Sequence, residues 1–197
     1  MKKGILIVIV IGALGWAIFD FVMSSDDSAD EDVVVSNNGD DSSPPAGVED
    51  IDESDDEVGL EAGDIPPDFE VTTLEGETVQ LSDYHGERVM LNFWATWCPP
   101  CRAEMPDMQK LYDEEDVVIL AVNMTDTESN VGEVADFIDE LELTFPVPMD
   151  EEADIMDTYQ VIAYPTTFMI DSNGRIHNVS LGAMNHEQML QQLESME

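Results

Sequence analysis

The chain has 197 residues, room for one domain with appendages, and sets 45 aspartates and glutamates against 6 lysines and arginines, a formal charge of −39. That imbalance excludes nucleic acid as a partner, because phosphates are repelled and few cations exist to neutralise them, and it argues against peripheral attachment to anionic lipid. Its two cysteines, Cys98 and Cys101, are too close in sequence for a long-range structural disulfide, so the pair is redox-active, metal-binding or incidental.

Met1 to Met23 reads as a targeting segment. Lys2 and Lys3 form a basic start, Gly4 to Phe19 is an unbroken apolar run, and Phe21 to Met23 continues it after Asp20. Together these approach the ~20 residues that a helix needs to cross ~30 Å of hydrocarbon. The expectation is an uncleaved single-pass anchor with the lysines in the cytoplasm and the rest of the chain outside. A cleaved signal peptide is the competing reading. No Ala-x-Ala site follows the run, although Val22-Met23-Ser24 is a tolerable small-residue match.

Residues 24–62 read as a disordered tether. Fifteen of these 39 residues are acidic and none is basic or aromatic, so the segment cannot bury enough apolar area to offset the entropy of ordering it. A flexible chain of that length spans ~35 Å root-mean-square. The folded domain is expected over 63–197.

Within it, Phe69–Val71 and Thr78–Leu81 flank a Glu75-Gly76 turn as short strands. Arg88–Ala95 is an apolar run suited to a strand buried on both faces, followed by a helix over Pro100–Tyr112. Val117–Met124 is a second buried strand. Val131–Leu141 has apolar residues at 131, 134, 138 and 141, which is helical spacing. Phe145–Met149, interrupted by Pro146 and Pro148, is an edge or connecting piece. Ala153–Tyr159 reads as a short helix. Thr166–Asp171 and Arg175–Leu181 are strands around a Ser172-Asn173-Gly174 hairpin turn, and Glu187–Leu193 is a terminal helix. Strands alternating with helices, closed by a hairpin and a helix, describe an α/β sheet with an antiparallel edge.

The chemistry sits in Trp94-Ala95-Thr96-Trp97-Cys98-Pro99-Pro100-Cys101, which leaves a strand and opens a helix. A helix N-terminus presents unpaired N–H groups and partial positive charge, which favour a thiolate. Cys98, before the first turn, is expected to be exposed and partly ionised, and Cys101, one turn inside, more buried. That asymmetry suits attack by Cys98 on a partner disulfide and resolution of the mixed disulfide by Cys101. Pro100 fits the first helical turn without losing a hydrogen bond. The spacer holds no histidine or basic residue and Arg102 is the only nearby cation, so thiolate stabilisation is expected to be moderate, which suits a reductant or mild isomerase better than a strong oxidant. A zinc site is disfavoured: there is no second CxxC, and His85, His177 and His186 are not at ligand spacing from one another.

With those residues in view, the domain resembles the ResA/TlpA family of thioredoxin-like proteins, within the wider redoxin group. The similar segments are IPPDFEVTTLEGETVQLSDYHGERVMLNFWATWCPPCRAEMP, VVILAVNM, FPVPMD and YPTTFMIDSNGRI, in the expected order over nearly the whole domain. The resemblance implies a thioredoxin-like fold with a mid-domain helical insertion, here Thr125 to Phe145, one N-terminal anchor, and reducing activity outside the cytoplasmic membrane. It also implies apocytochrome c as the favoured client, reduced at its haem-attachment cysteines. No cofactor is expected. With no nucleotide-binding motif present, reducing equivalents have to come through a membrane thiol carrier.

Three further residues carry over from the resemblance. Pro165, in Tyr164-Pro165-Thr166-Thr167, matches a cis-proline facing the redox pair, which would turn Tyr164 backbone groups toward a bound peptide; otherwise it is an ordinary trans proline starting a strand. Glu104, three residues after Cys101 and on the same helix face, matches a family glutamate. Buried, its raised pKa would let it shuttle the resolving thiol's proton; exposed, it would only complement the helix dipole. Trp97 matches the tryptophan before the nucleophile and would cover the sulfur, line the substrate groove, or pack in the core.

Two other functions share this fold. A copper-binding or copper-delivering module usually has a longer cysteine spacer and a distal histidine, and the two-residue spacer here argues against it. A peroxidase of the redoxin group would need Pro-x-x-x-Thr-x-x-Cys before Cys98, and Leu91 and Ala95 stand at those positions. The charge departs from the family pattern: from Gly63 onward there are 29 acidic and 4 basic residues. Self-repulsion of that size destabilises a compact state unless salt screens it, and at ~1 M the Debye length falls to ~3 Å. A domain suited to a saline or alkaline medium is therefore expected to melt at higher temperature in molar salt than in very dilute buffer, and a salt-independent melting point in thermal denaturation refutes that adaptation.

Overall fold

The computed structural model describes residues 57–196. The anchor expected over Met1–Met23 and residues 24–56 of the expected tether lie outside the described residues. Among those described, no helix is long and apolar enough to cross a membrane.

A central four-stranded sheet organises the domain. Its strands are β3 (Val89–Trp94), β4 (Val118–Asn123), β5 (Thr166–Ile170) and β6 (Ile176–Leu181), in the order β4-β3-β5-β6. β3 runs parallel to β4 and antiparallel to β5, and β6 closes the edge antiparallel to β5. The short hairpin β1 (Glu70–Thr72) and β2 (Thr78–Gln80) forms a separate two-stranded sheet. Gly76 takes φ 86° in its turn, and Gly174 takes φ 75° in the β5–β6 turn, a conformation that costs a residue without Cβ little. Asp171 holds the latter turn by accepting from the N–H groups of Asn173 and Arg175.

Four helices surround the sheet: α1 (Pro99–Glu114), α2 (Val131–Glu140), α3 (Asp154–Thr158) and α4 (His186–Ser195). Asn130 caps α2 through a bond from the Glu133 N–H, and Asn185 and Gln188 form a reciprocal capping box at the start of α4. These elements coincide with the expected ones to within one or two residues at each end, the usual play of helix ends. Thr125–Phe145, between β4 and the segment before α3, contains α2. Phe145–Met149 is a connecting piece along the β4 edge: the Pro146 and Pro148 carbonyls accept from the Ala121 and Asn123 N–H groups, Met149 bridges Asn123, and Pro148 pairs with Thr73.

The strand pleat divides the core in two. Met90, Asn92 and Trp94 alternate along β3 with Val89, Leu91 and Phe93, and all six are buried. Met90 and Trp94 join the layer under α1, α2 and α4, which also contains Cys98, Cys101 and seven further methionines, Met105, Met184 and Met189 among them. Val89, Leu91 and Phe93 join the opposite layer with Ile155, Tyr159 and Phe168. There the Phe93, Tyr159 and Phe168 rings meet at 5.1–6.0 Å between centroids, a separation at which edge contacts are favourable. The Tyr159 hydroxyl donates to the Pro67 carbonyl at 2.6 Å, satisfying its one polar atom.

The folded body begins before the Gly63 boundary read from the sequence. Glu57 and Gly59 exchange backbone hydrogen bonds with Ile65, and Gly63 and Asp64 bond to Ile176 at the start of β6. Residues 57–62 are acidic enough to read as tether, but they fold back onto Ile65, and Gly63 and Asp64 next to them are tied to Ile176.

Candidate active site

The site grows from the end of β3. After Trp94, whose indole N–H donates to the Ala121 carbonyl inside the core, the chain turns through Ala95–Trp97 into α1, closed by a Cys98 N–H bond to the Ala95 carbonyl. Cys98 is the N-cap of α1, with extended φ/ψ. Pro99 and Pro100 occupy the first two helical positions and carry no N–H. The first donor that the helix end offers is therefore Cys101, and its N–H points at the Cys98 sulfur at 3.3 Å. The next, Arg102, bonds the Cys98 carbonyl. One oriented amide and the helix dipole together make this position favour negative charge on sulfur.

Cys98 and Cys101 are joined as a disulfide, with 5.3 Å between Cα atoms. The expectation of an exposed Cys98 is corrected: its exposure is 3 %, against 0 % for Cys101. As the N-cap, Cys98 turns its sulfur back onto the helix, and in the oxidised state both sulfurs belong to the core layer that holds Trp94, Met105 and Met184. Arg102 is directed elsewhere: its guanidinium lies 4.5 Å above the Phe137 ring of α2 and bonds the Thr96 carbonyl.

Glu104 is 2 % exposed, behind the pair on the inner face of α1. One carboxyl oxygen accepts from the Met184 N–H at 2.9 Å, and the other lies 3.4 Å from the Asn92 side-chain amide. Asn92 also donates to Thr167 at 2.9 Å. Desolvation outweighs these hydrogen bonds and pushes the Glu104 carboxyl up to about 7. Of the two placements weighed for Glu104, the structure has the buried one.

The Tyr164–Pro165 bond is cis. Tyr164 meets Trp97 edge to face, with ring centroids 5.6 Å apart. Trp97 is 53 % exposed, so it is not a core residue; Trp94 has that place. The Trp97 indole N–H donates to Thr127 at 3.1 Å. Cys98, Cys101, Glu104, Trp97, Tyr164 and Pro165 thus gather at one end of the sheet, where β3 and β5 meet α1. Burial first, with Asp126 and Asp150 adding repulsion, pushes the Tyr164 phenol up, so it stays a neutral hydroxyl at ordinary pH.

Two residues of this region escaped the sequence reading. Asn92 is the one polar residue in an apolar strand buried on both faces, and that anomaly was the available signal. Glu128 bonds to Thr96 from 32 positions away, and no local pattern marks it.

With this geometry established, comparison with known proteins is direct. Residues 62–179 match the family described as AhpC/TSA. The chain belongs to the AhpC/TSA family. Among its members, this one is similar to the thiol-disulfide oxidoreductase ResA of Oceanobacillus iheyensis, 46 % identical over 142 residues, which are 68 % of this chain and 72 % of that protein. It is also similar to the thioredoxin-like protein YneN of Bacillus subtilis, 44 % identical over 140 residues, 70 % of this chain and 82 % of that protein. The crystal structure of StoA from Bacillus subtilis superposes with a TM-score of 0.59 at 35 % identity, covering 66 % of this chain and 98 % of that one. Together with a CxxC pair at disulfide distance, these likenesses make this AhpC/TSA member a thiol-disulfide oxidoreductase of the ResA type with a thioredoxin-like fold.

Proposed function

We propose that the protein reduces disulfides in exported proteins outside the cytoplasmic membrane, anchored by residues 1–23, with apocytochrome c as the favoured client. The observation that carries the reducing cycle is the buried carboxyl of Glu104 behind Cys101. The Cys98 thiolate attacks one sulfur of the client disulfide, forming a mixed disulfide and releasing the first client thiolate. Glu104, ionised, takes the proton of the Cys101 thiol. The Cys101 thiolate then attacks the Cys98 sulfur, the second client thiolate leaves, and the Cys98–Cys101 disulfide of the present structure forms. Two electrons pass from the cysteine pair to the client, and a membrane thiol carrier restores them. A group titrating near 7 changes its proton at working pH at low cost, which suits this relay. Trp97, Tyr164 and Pro165 form the lip against which the client backbone lies, with no metal or cofactor in the cycle.

A trapping experiment tests this. Cys101→Ala, expressed in its native membrane, is expected to accumulate mixed disulfides on Cys98, because the first attack proceeds and resolution does not. Mass spectrometry identifies the captured chains. Recovery of an apocytochrome carrying a CxxC supports the proposed client; capture of small thiols alone removes it while leaving the exchange chemistry in place.

A further inference from the structure

The turn that delivers Cys98 is held from outside by a residue with no part in the redox cycle. Glu128 lies in the Thr125–Glu128 turn at the start of the insertion, just before α2. Its carboxylate accepts from the Thr96 N–H at 2.6 Å, from the Thr96 hydroxyl, and from the Asn123 side-chain amide at 2.9 Å at the end of β4. Thr127, its neighbour, accepts from the Trp97 indole at 3.1 Å and donates to the Met124 carbonyl at 2.7 Å. The other side of Thr96 is tied as well, its carbonyl accepting from Arg102. The two residues immediately before the nucleophile are therefore fixed by side chains from elsewhere, three of the bonds arising in one short turn.

From this we infer that Glu128 is a positioning residue for Cys98: by clamping Thr96 to the end of β4 it fixes the Ala95–Cys98 turn, and with it the alignment of the Cys98 sulfur on the first free amide of α1. Positioning matters because only one N–H, that of Cys101, is available to the sulfur; the two prolines supply none. If the turn loosens, that bond is lost and no second donor replaces it. An ionised acceptor oriented by three donors is a stronger tether than neutral pairs would be. The insertion thus bears on the redox pair through the turn that opens it, in addition to the packing of α2.

Positioning and simple charge predict opposite signs. Removing a nearby negative charge favours a thiolate, so if Glu128 acts by its charge, both Glu128→Gln and Glu128→Ala speed alkylation of Cys98 and move its pH profile down. If Glu128 acts by holding Thr96, Glu128→Ala moves the profile up and slows the reaction, whereas Glu128→Gln, which keeps an acceptor oxygen for the Thr96 N–H, stays close to the parent.

The experiment measures alkylation of Cys98 by iodoacetamide in the reduced full chain between pH 5 and 10, together with the rate of attack on a neutral dipyridyl disulfide and thermal melting. The expected result for Glu128→Ala is a loss of about tenfold at pH 7 in both rates, the change in thiolate fraction for an upward displacement of about one unit, with Glu128→Gln recovering most of it. Unchanged profiles in a folded Glu128→Ala protein overturn the inference, as do profiles displaced downward in both variants. A slowing that tracks lost stability alone, with the profile unmoved, also overturns it. Should Glu128→Ala not fold, Thr96→Ala, which removes the hydroxyl donor, decides: an upward displacement supports the clamp and an unmoved profile sinks it.

Discussion

Replacing Cys98 with serine is expected to abolish disulfide reduction, by at least about a thousandfold, with no loss of folding. A hydroxyl at this position is protonated at any accessible pH, whereas the thiolate of Cys98 is favoured by the oriented Cys101 amide and the helix dipole. Cys101 lies one turn inside α1, behind the N-cap position from which its own N–H points at the residue 98 side chain. Serine keeps the N-cap role, since its oxygen accepts from the Cys101 N–H as the sulfur does. Stopped-flow reduction of a model disulfide and far-ultraviolet circular dichroism on the same samples check both halves. A variant with more than a hundredth of the parental rate excludes Cys98 as the attacking group.

The second large effect belongs to Glu104. Its carboxyl titrates at about 7 in the folded protein, against 4.5 for an unperturbed glutamate. A group whose folded-state pKa is raised gives stability fully present below the unfolded value and lost as pH rises through the folded value. Stability is therefore expected to decline between about pH 4.5 and 7 and to level off above, by about 3 kcal/mol at 1.36 kcal/mol per unit. Glu104→Gln removes this dependence. Its new amide can still accept from Met184, and the Asn92 oxygen, buried without a hydrogen-bond partner, can turn to receive the new N–H. Urea denaturation of the oxidised proteins at pH 5 and pH 8 is expected to show the variant gaining on the parent at the higher pH. The same variant is expected to reduce disulfides more slowly at the resolving step, so mixed disulfide on Cys98 persists. Equal pH dependence in the two proteins refutes the buried, raised carboxyl. Faster unfolding of the variant at pH 8 would mean that the charged form contributes stabilising contacts beyond those seen.

Much of this site could be read from residue order because its chemistry is local. A strand apolar on both faces, a CxxC at its end, two prolines in the spacer and a helical pattern after it place Cys98 and Cys101 at a strand–helix junction without reference to anything distant. The position of Glu104 on the face of Cys101 follows from helical spacing alone, but its burial does not: that depends on Met184 and Asn92 closing over it from α4's approach and from β3. Whether Cys98 is exposed was likewise undecidable from sequence, since its burial depends on distant residues such as Met184 that pack in the same layer. Order before Gly63 was not legible because residues 57–62 have the composition of a solvated chain, while what holds them is the pairing of Glu57 and Gly59 with Ile65, next to the Gly63 and Asp64 bonds to β6 more than a hundred residues away. Glu128 stayed hidden for the same reason. A single carboxylate in a strongly acidic chain carries no mark, and only the fold brings it to Thr96.

The methionines of the α1-side layer have a consequence for how this protein can change. Thioether side chains are unbranched and polarisable, so they fill irregular gaps and re-form contacts when a neighbour differs by a methylene. Exchanges between methionine and leucine usually disturb a core by less than about 1.5 kcal/mol. Beneath the redox pair, substitutions can therefore accumulate without displacing the sulfurs, whereas the interlocked rings of the opposite layer admit few alternatives. Sequence drift among relatives should concentrate in the thioether layer and spare the rings, leaving a pliant bed under a fixed reactive tip.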